Sequence, residues 1–345
     1  PPNMSAPFLS VNSGKRSMTL NLKSPGAKDV VRRLVEQSDV VVQNFKVGVM
    51  DRLGLSYDAV REFNPGIVYC SISGYGQEGP RSRAPAYDPA VQSASGMMQL
   101  IGTGDSGPLR TGFPLVDMST GLTAAIAIMG ALYRRKETGA GQHLDVAMLD
   151  SAMSLLAFSF MLHQQTGDEP ELLGNQSQLR IPTADVYPAS EGFVQITALT
   201  DKQVIALCEA IGLSHLMDDP KYKNNDARAE NRDEMRQHLL DAFAKKPASE
   251  WESILGEAQV PSSAVLRIPE VIAQPQLAHR NFLQSVLPQG FSTPLQVFNA
   301  AYGASEDGPA VTSPPPAVGE HTDEVLGEFG FSSSEVSALR ADDVI

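Results

Sequence analysis

Gly26-Ala27-Lys28-Asp29-Val30-Val31-Arg32-Arg33-Leu34-Val35-Glu36-Gln37-Ser38-Asp39-Val40-Val41-Val42 changes its apolar period partway along. From Gly26 to Gln37, Val30, Val31, Leu34 and Val35 fall at the spacing of one helix face. Ser38-Asp39 then leads into a β-branched run that reads as a buried strand. The pattern recurs. Tyr57 to Phe63 reads as a second short helix, Asn64-Pro65-Gly66 breaks it, and Ile67-Val68-Tyr69-Cys70-Ser71-Ile72 reads as another strand before a glycine turn. Alternating helices and short β-branched strands define an α/β layer.

Outward from there, a small-residue helix is expected over Pro89 to Ile101, a strand-like piece at Pro114-Leu115-Val116 and a long helix from Ser119 to Arg135. Another strand, His143 to Ala147, and a helix through Gln165 follow. The polar stretch Asp168-Glu169-Pro170 and Gly174-Asn175 reads as a surface connection. Beyond it come two strands, Ala184 to Tyr187 and Phe193 to Thr197, and several charged helices. The Pro-rich segment Thr312 to Pro316 precedes an amphipathic helix, Thr322 to Phe329, and a helical tail.

With 345 residues, 42% of them apolar, the chain is long enough for two lobes and has the material to fill both cores. Its 27 Lys and Arg against 40 Asp and Glu give a formal charge of −13, which repels a nucleic-acid backbone. An anionic small molecule therefore has to be held by a few local cations. The longest apolar stretch, Leu122 to Leu132, falls short of a bilayer-spanning helix, so no membrane segment is expected. Cys70 and Cys208 lie far apart without CxxC spacing, which argues against a disulfide framework and for a reducing compartment. The cytoplasm is the expected location. The start at Pro1-Pro2, without an initiator methionine, reads as a fragment or processed product, and an upstream targeting peptide would be invisible.

Two stretches match GxGxxG, Gly74 to Gly79 and Gly102 to Gly107, but each is followed by proline. The dinucleotide motif works because a helix N-terminus meets the pyrophosphate, so both read as loop glycine. The six histidines show no metal-ligand spacing, and there is no P-loop, HExxH or GxSxG. No metal site is expected. What remains is Leu115-Val116-Asp117-Met118-Ser119-Thr120-Gly121, an aspartate between a strand-like piece and a long helix. Asp117 fits a helix N-cap, and it also sits where open α/β sheets place ligands. Local pattern leaves both readings open.

Asn44-Phe45-Lys46-Val47-Gly48-Val49-Met50-Asp51-Arg52-Leu53-Gly54, Ser73-Gly74-Tyr75-Gly76-Gln77-Glu78-Gly79-Pro80 and Ala86-Tyr87-Asp88 resemble the family III CoA-transferases of the CaiB/BaiF type, such as formyl-CoA and carnitine CoA-transferases. Val116 to Gly121, Lys136 to Gln142, Asp218-Asp219-Pro220 and Gly319-Glu320-His321-Thr322 extend the resemblance over essentially the whole chain.

The resemblance implies a Rossmann-like large domain over residues 1–165, a smaller α+β domain over 181–285, and a return to the large domain over 300–345. It also implies an interlocked ring-like homodimer, and a family start some tens of residues ahead of Pro1, supplying a first strand and part of the adenosine site. Asp117 becomes the catalytic residue, carrying first an acyl anhydride and then a CoA thioester, with backbone amides from Ser119 onward steadying the oxygen charge. CoA-contacting positions of the family match Leu20, Asn21, Leu22, Lys23, Asn44, Phe45, Lys46, Arg52, Ala84, Pro85, Ala86 and Tyr87, with Lys15 and Arg16 nearby.

Asp88 reads either as a substrate-positioning or Asp117-tuning group or as a helix N-cap before Pro89. Family racemases carry histidine where this chain has Tyr87, so Tyr87 argues for transfer. His321 reads as a helix-entry residue. The implied ligands are an acyl-CoA and a small carboxylic acid, with no permanently bound cofactor, no nucleic acid and no membrane partner. An acyl-CoA racemase and a catalytically silent CoA-binding protein are the alternatives.

Overall fold

A computed structural model describes residues 4–178 and 181–345; the Pro1-Pro2 start lies outside the described residues. The elements used below are, in chain order, α1 (Ala27–Glu36), β1 (Val40–Gln43), α2 (Tyr57–Arg61), β2 (Val68–Ser73), α3 (Asp88–Ala94), α4 (Leu115–Thr138), β3 (Gln142–Ala147), α5 (Met148–Leu155), α6 (Ala157–Thr166), β4 (Ala184–Pro188) and β5 (Phe193–Thr197). They continue with α7 (Asp201–Ala210), α8 (Arg232–Phe243), α9 (Ala248–Glu257), β6 (Ser262–Ala264), α10 (Thr322–Glu328) and α11 (Ser333–Ala341). The chain divides into two compact units, one of residues 1–86, 117–151 and 269–345, the other of 87–116 and 152–268.

In the first unit, β1, β2 and β3 form a parallel sheet in that order, with Val40 opposite Val68 and Val68 opposite Gln142. Parallel pairing needs crossovers, which α2 and the chain leading to β3 supply. The central strand β2 is buried along Val68, Tyr69 and Cys70, as expected of a strand covered on both faces. On one side Tyr69 packs with Val35 of α1, Val60 of α2 and Ile67. On the other, Cys70 and Val146 pack on Ala124 of α4. The C-terminal helices return to this unit, where Leu326, Phe331, Val336 and Val344 close over Ala27 and Val30 of α1.

The second unit is built on the antiparallel sheet β4-β5-β6, in which Tyr187 faces Val194 and Ile196 faces Ser262. Helices α7, α8 and α9 bury Leu207, Met235, Leu239, Phe243, Trp251 and Leu255 against Tyr187, Val194 and Ile196. Residues 87–116 add α3 and a short hairpin pairing Gly102-Thr103 with Gly107-Pro108.

Three expectations are corrected. The small-residue segment after Pro89 is not one helix, because Gly96 adopts φ +84° and separates α3 from a 3₁₀ turn over Met97–Leu100. Pro114-Leu115-Val116 is not a strand: the long helix starts at Leu115, directly after a proline, whose fixed φ suits a helix start. Finally, α4 runs 24 residues and is long and apolar enough to cross a membrane by length and composition, although only 22% of its apolar window is buried. The Leu122 to Leu132 stretch therefore understated its reach.

That exposure is organised. Met118, Leu122, Ile126, Met129 and Tyr133 are all exposed, and at 3.6 residues per turn they share an arc of about 80°. Val116, Thr120, Ala124 and Ala131, buried, take the other side.

Candidate functional site

Asp117 is the third residue of α4, in its first turn, and faces solvent. It is therefore within the helix rather than at its cap, where an acidic side chain still gains from the positive end of the helix dipole. The one-turn shift of the helix start also moves the orphan amides. The Ser119 N–H lies four residues in and belongs to the helix ladder, so the donors near Asp117 that escape the ladder are those preceding Ser119.

One of those donors is spoken for. The amide of Val116 donates to Oδ2 of Asp88 at 2.7 Å, and Nε2 of Gln92 donates to Oδ1 of Asp88 at 2.6 Å. Gln92 in turn donates to Oγ1 of Thr111 at 2.8 Å, while its Oε1 accepts from the Thr111 amide at 2.9 Å. Asp88 is 6% exposed and Gln92 fully buried, so this is a closed network. Asp88 opens its own helix α3 after Tyr87, yet its carboxylate reaches across 28 residues to the start of α4. Burying a polar group is costly unless its atoms are hydrogen-bonded, and both oxygens of Asp88 are. The effect is to anchor the backbone one residue before Asp117.

The residues expected around CoA fall into three groups. Leu22, Lys23 and Arg52 line one cavity of about 400 Å³ in the first unit, together with Ser24, Lys28 and Leu55. Asn44, Phe45 and Lys46 follow β1 and are exposed; the Asn44 amide donates to the Ile72 carbonyl at 2.9 Å, and the Phe45 N–H donates to Oε1 of Gln43 at 2.8 Å. A cation and an aromatic face are thereby presented at the carboxyl end of a parallel strand, where such sheets bind ligands. Ala84, Pro85 and Ala86 form the loop leading to Tyr87, which is 81% exposed. A Cβ at Gly74 would come within 2.2 Å of the Ala86 Cβ, so the glycine loop and this loop touch only because residue 74 has no side chain.

Other candidates have structural work. Leu20 packs on the α1–α10 cluster, and Asn21 shapes a turn by donating its amide to the Val344 carbonyl and accepting from the Lys23 N–H. Arg16 is paired with Glu324 and Glu328, and Lys15 with Asn12. Nδ1 of His321 accepts from the Ser17 amide as His321 caps α10. Sequence reasoning missed Lys28, Gln92 and Thr111. For Lys28 a signal was present: a lysine in the first turn of α1 opposes the helix dipole.

A parallel sheet with helices packed on it, a solvent-facing aspartate in the first turn of a long helix and a cavity lined by cations characterise an α/β protein. Residues 1–322 match the model of CoA-transferase family III, and the chain belongs to that family. The acyl-CoA transferase of Fusarium pseudograminearum is 33% identical over 98% of this chain and 74% of its own length. The acetyl-CoA:oxalate CoA-transferase of Acetobacter aceti is 38% identical over 80% of this chain and 71% of its own. The fold matches the crystal structure of a CAIB/BAIF family protein from Brucella suis with a TM-score of 0.83 and 31% identity, covering 94% of this chain and 84% of that one.

Proposed function

We propose that this chain moves CoA from an acyl-CoA donor to a small carboxylic acid through an aspartyl-CoA thioester on Asp117, and that it works as a homodimer. The observation that carries the chemistry is Asp117 itself, solvent-facing in the first turn of α4 with the preceding amide tied to buried Asp88. A carboxylate oxygen of Asp117 attacks the donor carbonyl, the C–S bond breaks and CoA leaves as thiolate, giving a mixed anhydride. The thiolate then attacks the Asp117 carbonyl carbon and expels the donor acid as carboxylate, leaving the thioester on the protein. An acceptor carboxylate runs the same two steps in reverse, and Asp117 is regenerated. No net proton moves, and each cycle exchanges one thioester for another of similar energy.

An aspartate is required because the protein group has to imitate a substrate carboxylate. The positive end of the α4 dipole favours the oxygen charge that develops in each attack. Family membership, and the oxalate acceptor in the name of the Acetobacter relative, support a small acid as the second substrate. Homodimerisation is supported by the exposed stripe from Met118 to Tyr133, five large apolar side chains on one arc of α4.

Incubating the protein with acyl-CoA donors and digesting it should give a peptide whose Asp117 carries CoA by mass spectrometry. Asp117→Ala should abolish label exchange between acyl-CoA and free acids. Exchange at the parent rate in that variant sinks the assignment. Deuterium entering the acyl α-carbon with no acid present would point to racemisation instead.

A further inference from the structure

We propose that Gln92 and Thr111 are positioning residues for Asp117, a role that rests on the reading of Asp117 as nucleophile: through the backbone of residues 111–116 they fix where the first turn of α4 stands, and with it the Asp117 carboxylate. Between Leu109 and Val116 the chain has little apolar anchorage, since Arg110, Gly112, Phe113 and Pro114 are exposed. Gly112 adds backbone freedom, with nothing within 4 Å of the place a Cβ would take. Polar contacts therefore carry the path into the helix.

Those contacts run through one buried amide. Gln92, fully buried on α3, uses both hydrogens of Nε2, one on Oδ1 of Asp88 at 2.6 Å and one on Oγ1 of Thr111 at 2.8 Å, while its Oε1 accepts from the Thr111 N–H at 2.9 Å. Each branch ends on the backbone that leads to Asp117. Asp88 passes the first to the Val116 N–H at 2.7 Å. The Thr111 hydroxyl passes the second to the Phe113 carbonyl at 2.7 Å, which also accepts from the Leu115 N–H at 2.8 Å. An apolar residue at 92 would avoid the cost of burying an amide, but it would hold none of these groups. Val116 and Asp117 are the second and third residues of α4, so a shift at Val116 carries the carboxylate with it. A misplacement of about 1 Å at a reacting atom can cost about a hundredfold in rate.

The test is rapid mixing of the full chain with saturating acyl-CoA, quenching, and mass spectrometry of the Asp117 peptide. It reads the rate constant for CoA attachment and, separately, the fraction of chains that react. Gln92→Leu should lower the rate constant by about a hundredfold and Thr111→Val by about tenfold. Thr111→Ser, which keeps the hydroxyl, should restore it to within about threefold of the parent. Should Gln92→Leu fail to fold, the contrast between Thr111→Val and Thr111→Ser decides. Parent-like rate constants in the folded variants overturn the inference whatever fraction reacts, because a network that serves folding alone lowers only that fraction, and the Asp117 chemistry then stands. A parent protein in which Asp117 never acquires CoA overturns both.

Discussion

On α8 the apolar residues Met235, Leu239, Ala242 and Phe243 are all within 1% of complete burial, enclosed by α7, α9 and the β4-β5-β6 sheet. On α4 the corresponding stripe, Met118, Leu122, Ile126, Met129 and Tyr133, is between 51% and 73% exposed. Both are helices carrying apolar residues at helical spacing. One finds its partners within 152–268, while the other has a face left exposed among the described residues. The contrast separates what this chain buries from what it leaves exposed, and the exposed helix is the one that carries Asp117.

The sharpest way to break the comparison is to charge the open face. Leu122→Asp with Ile126→Asp should abolish dimerisation in analytical ultracentrifugation, with a large fall in the yield of folded protein, because folding and association are linked when a protomer is incomplete alone. A double variant that stays dimeric at parent yield would remove the stripe from the interface. A parent protein that sediments as a folded monomer would remove the dimer. Parent protein recovered only with detergent would assign the stripe to lipid, which the length of α4 permits.

The closed side of the comparison predicts a smaller and purely local loss. Leu239→Ala removes a fully buried side chain from the core of the second unit. It should cost about 2–5 kcal/mol, the usual range for such cavities. Denaturant titration should show this with the sedimentation profile unchanged. A loss below about 1 kcal/mol would mean that the site collapses freely or that this core is loosely packed.

Much of this was legible. The switch from helical to strand period at Ser38 located α1 and β1, and Phe193 to Thr197 matched β5 residue for residue, because burial on one or both faces imposes those periods. The start of α4 was misjudged because Pro114-Leu115-Val116 is too short to show a period, and proline then leucine and valine suits a strand edge as well as a first helical turn. Asp88 stands out in the sequence, but its contact is with the Val116 amide, 28 residues away and without a side-chain signature. Lys28 joins Arg52 only through packing of the first unit. Sequence periodicity reports which face is buried; it does not report which polar atoms then meet.

The smallest predicted effect lies in the C-terminal return, where a surface feature is optimised rather than left open. Glu335 completes a capping box at the start of α11: the Ser332 amide and hydroxyl donate to its Oε2 at 2.7 and 2.8 Å, and Arg33 donates to its Oε1 at 2.8 Å. These donors favour the ionised form and hold its pKa down to about 2, against an ordinary value of 4.5. Because the folded pKa is depressed, the stabilisation is complete above the ordinary carboxylate range and is lost as pH falls from there toward about 2. Glu335→Gln should therefore lower the melting temperature slightly at neutral pH, and that gap should close between pH 4.5 and 2. The dimer should be unaffected, since α11 packs through Val336 against α1 and α10 rather than along the α4 stripe. A gap that stays constant into acid would show that Glu335 contributes its shape at the helix start and not its charge.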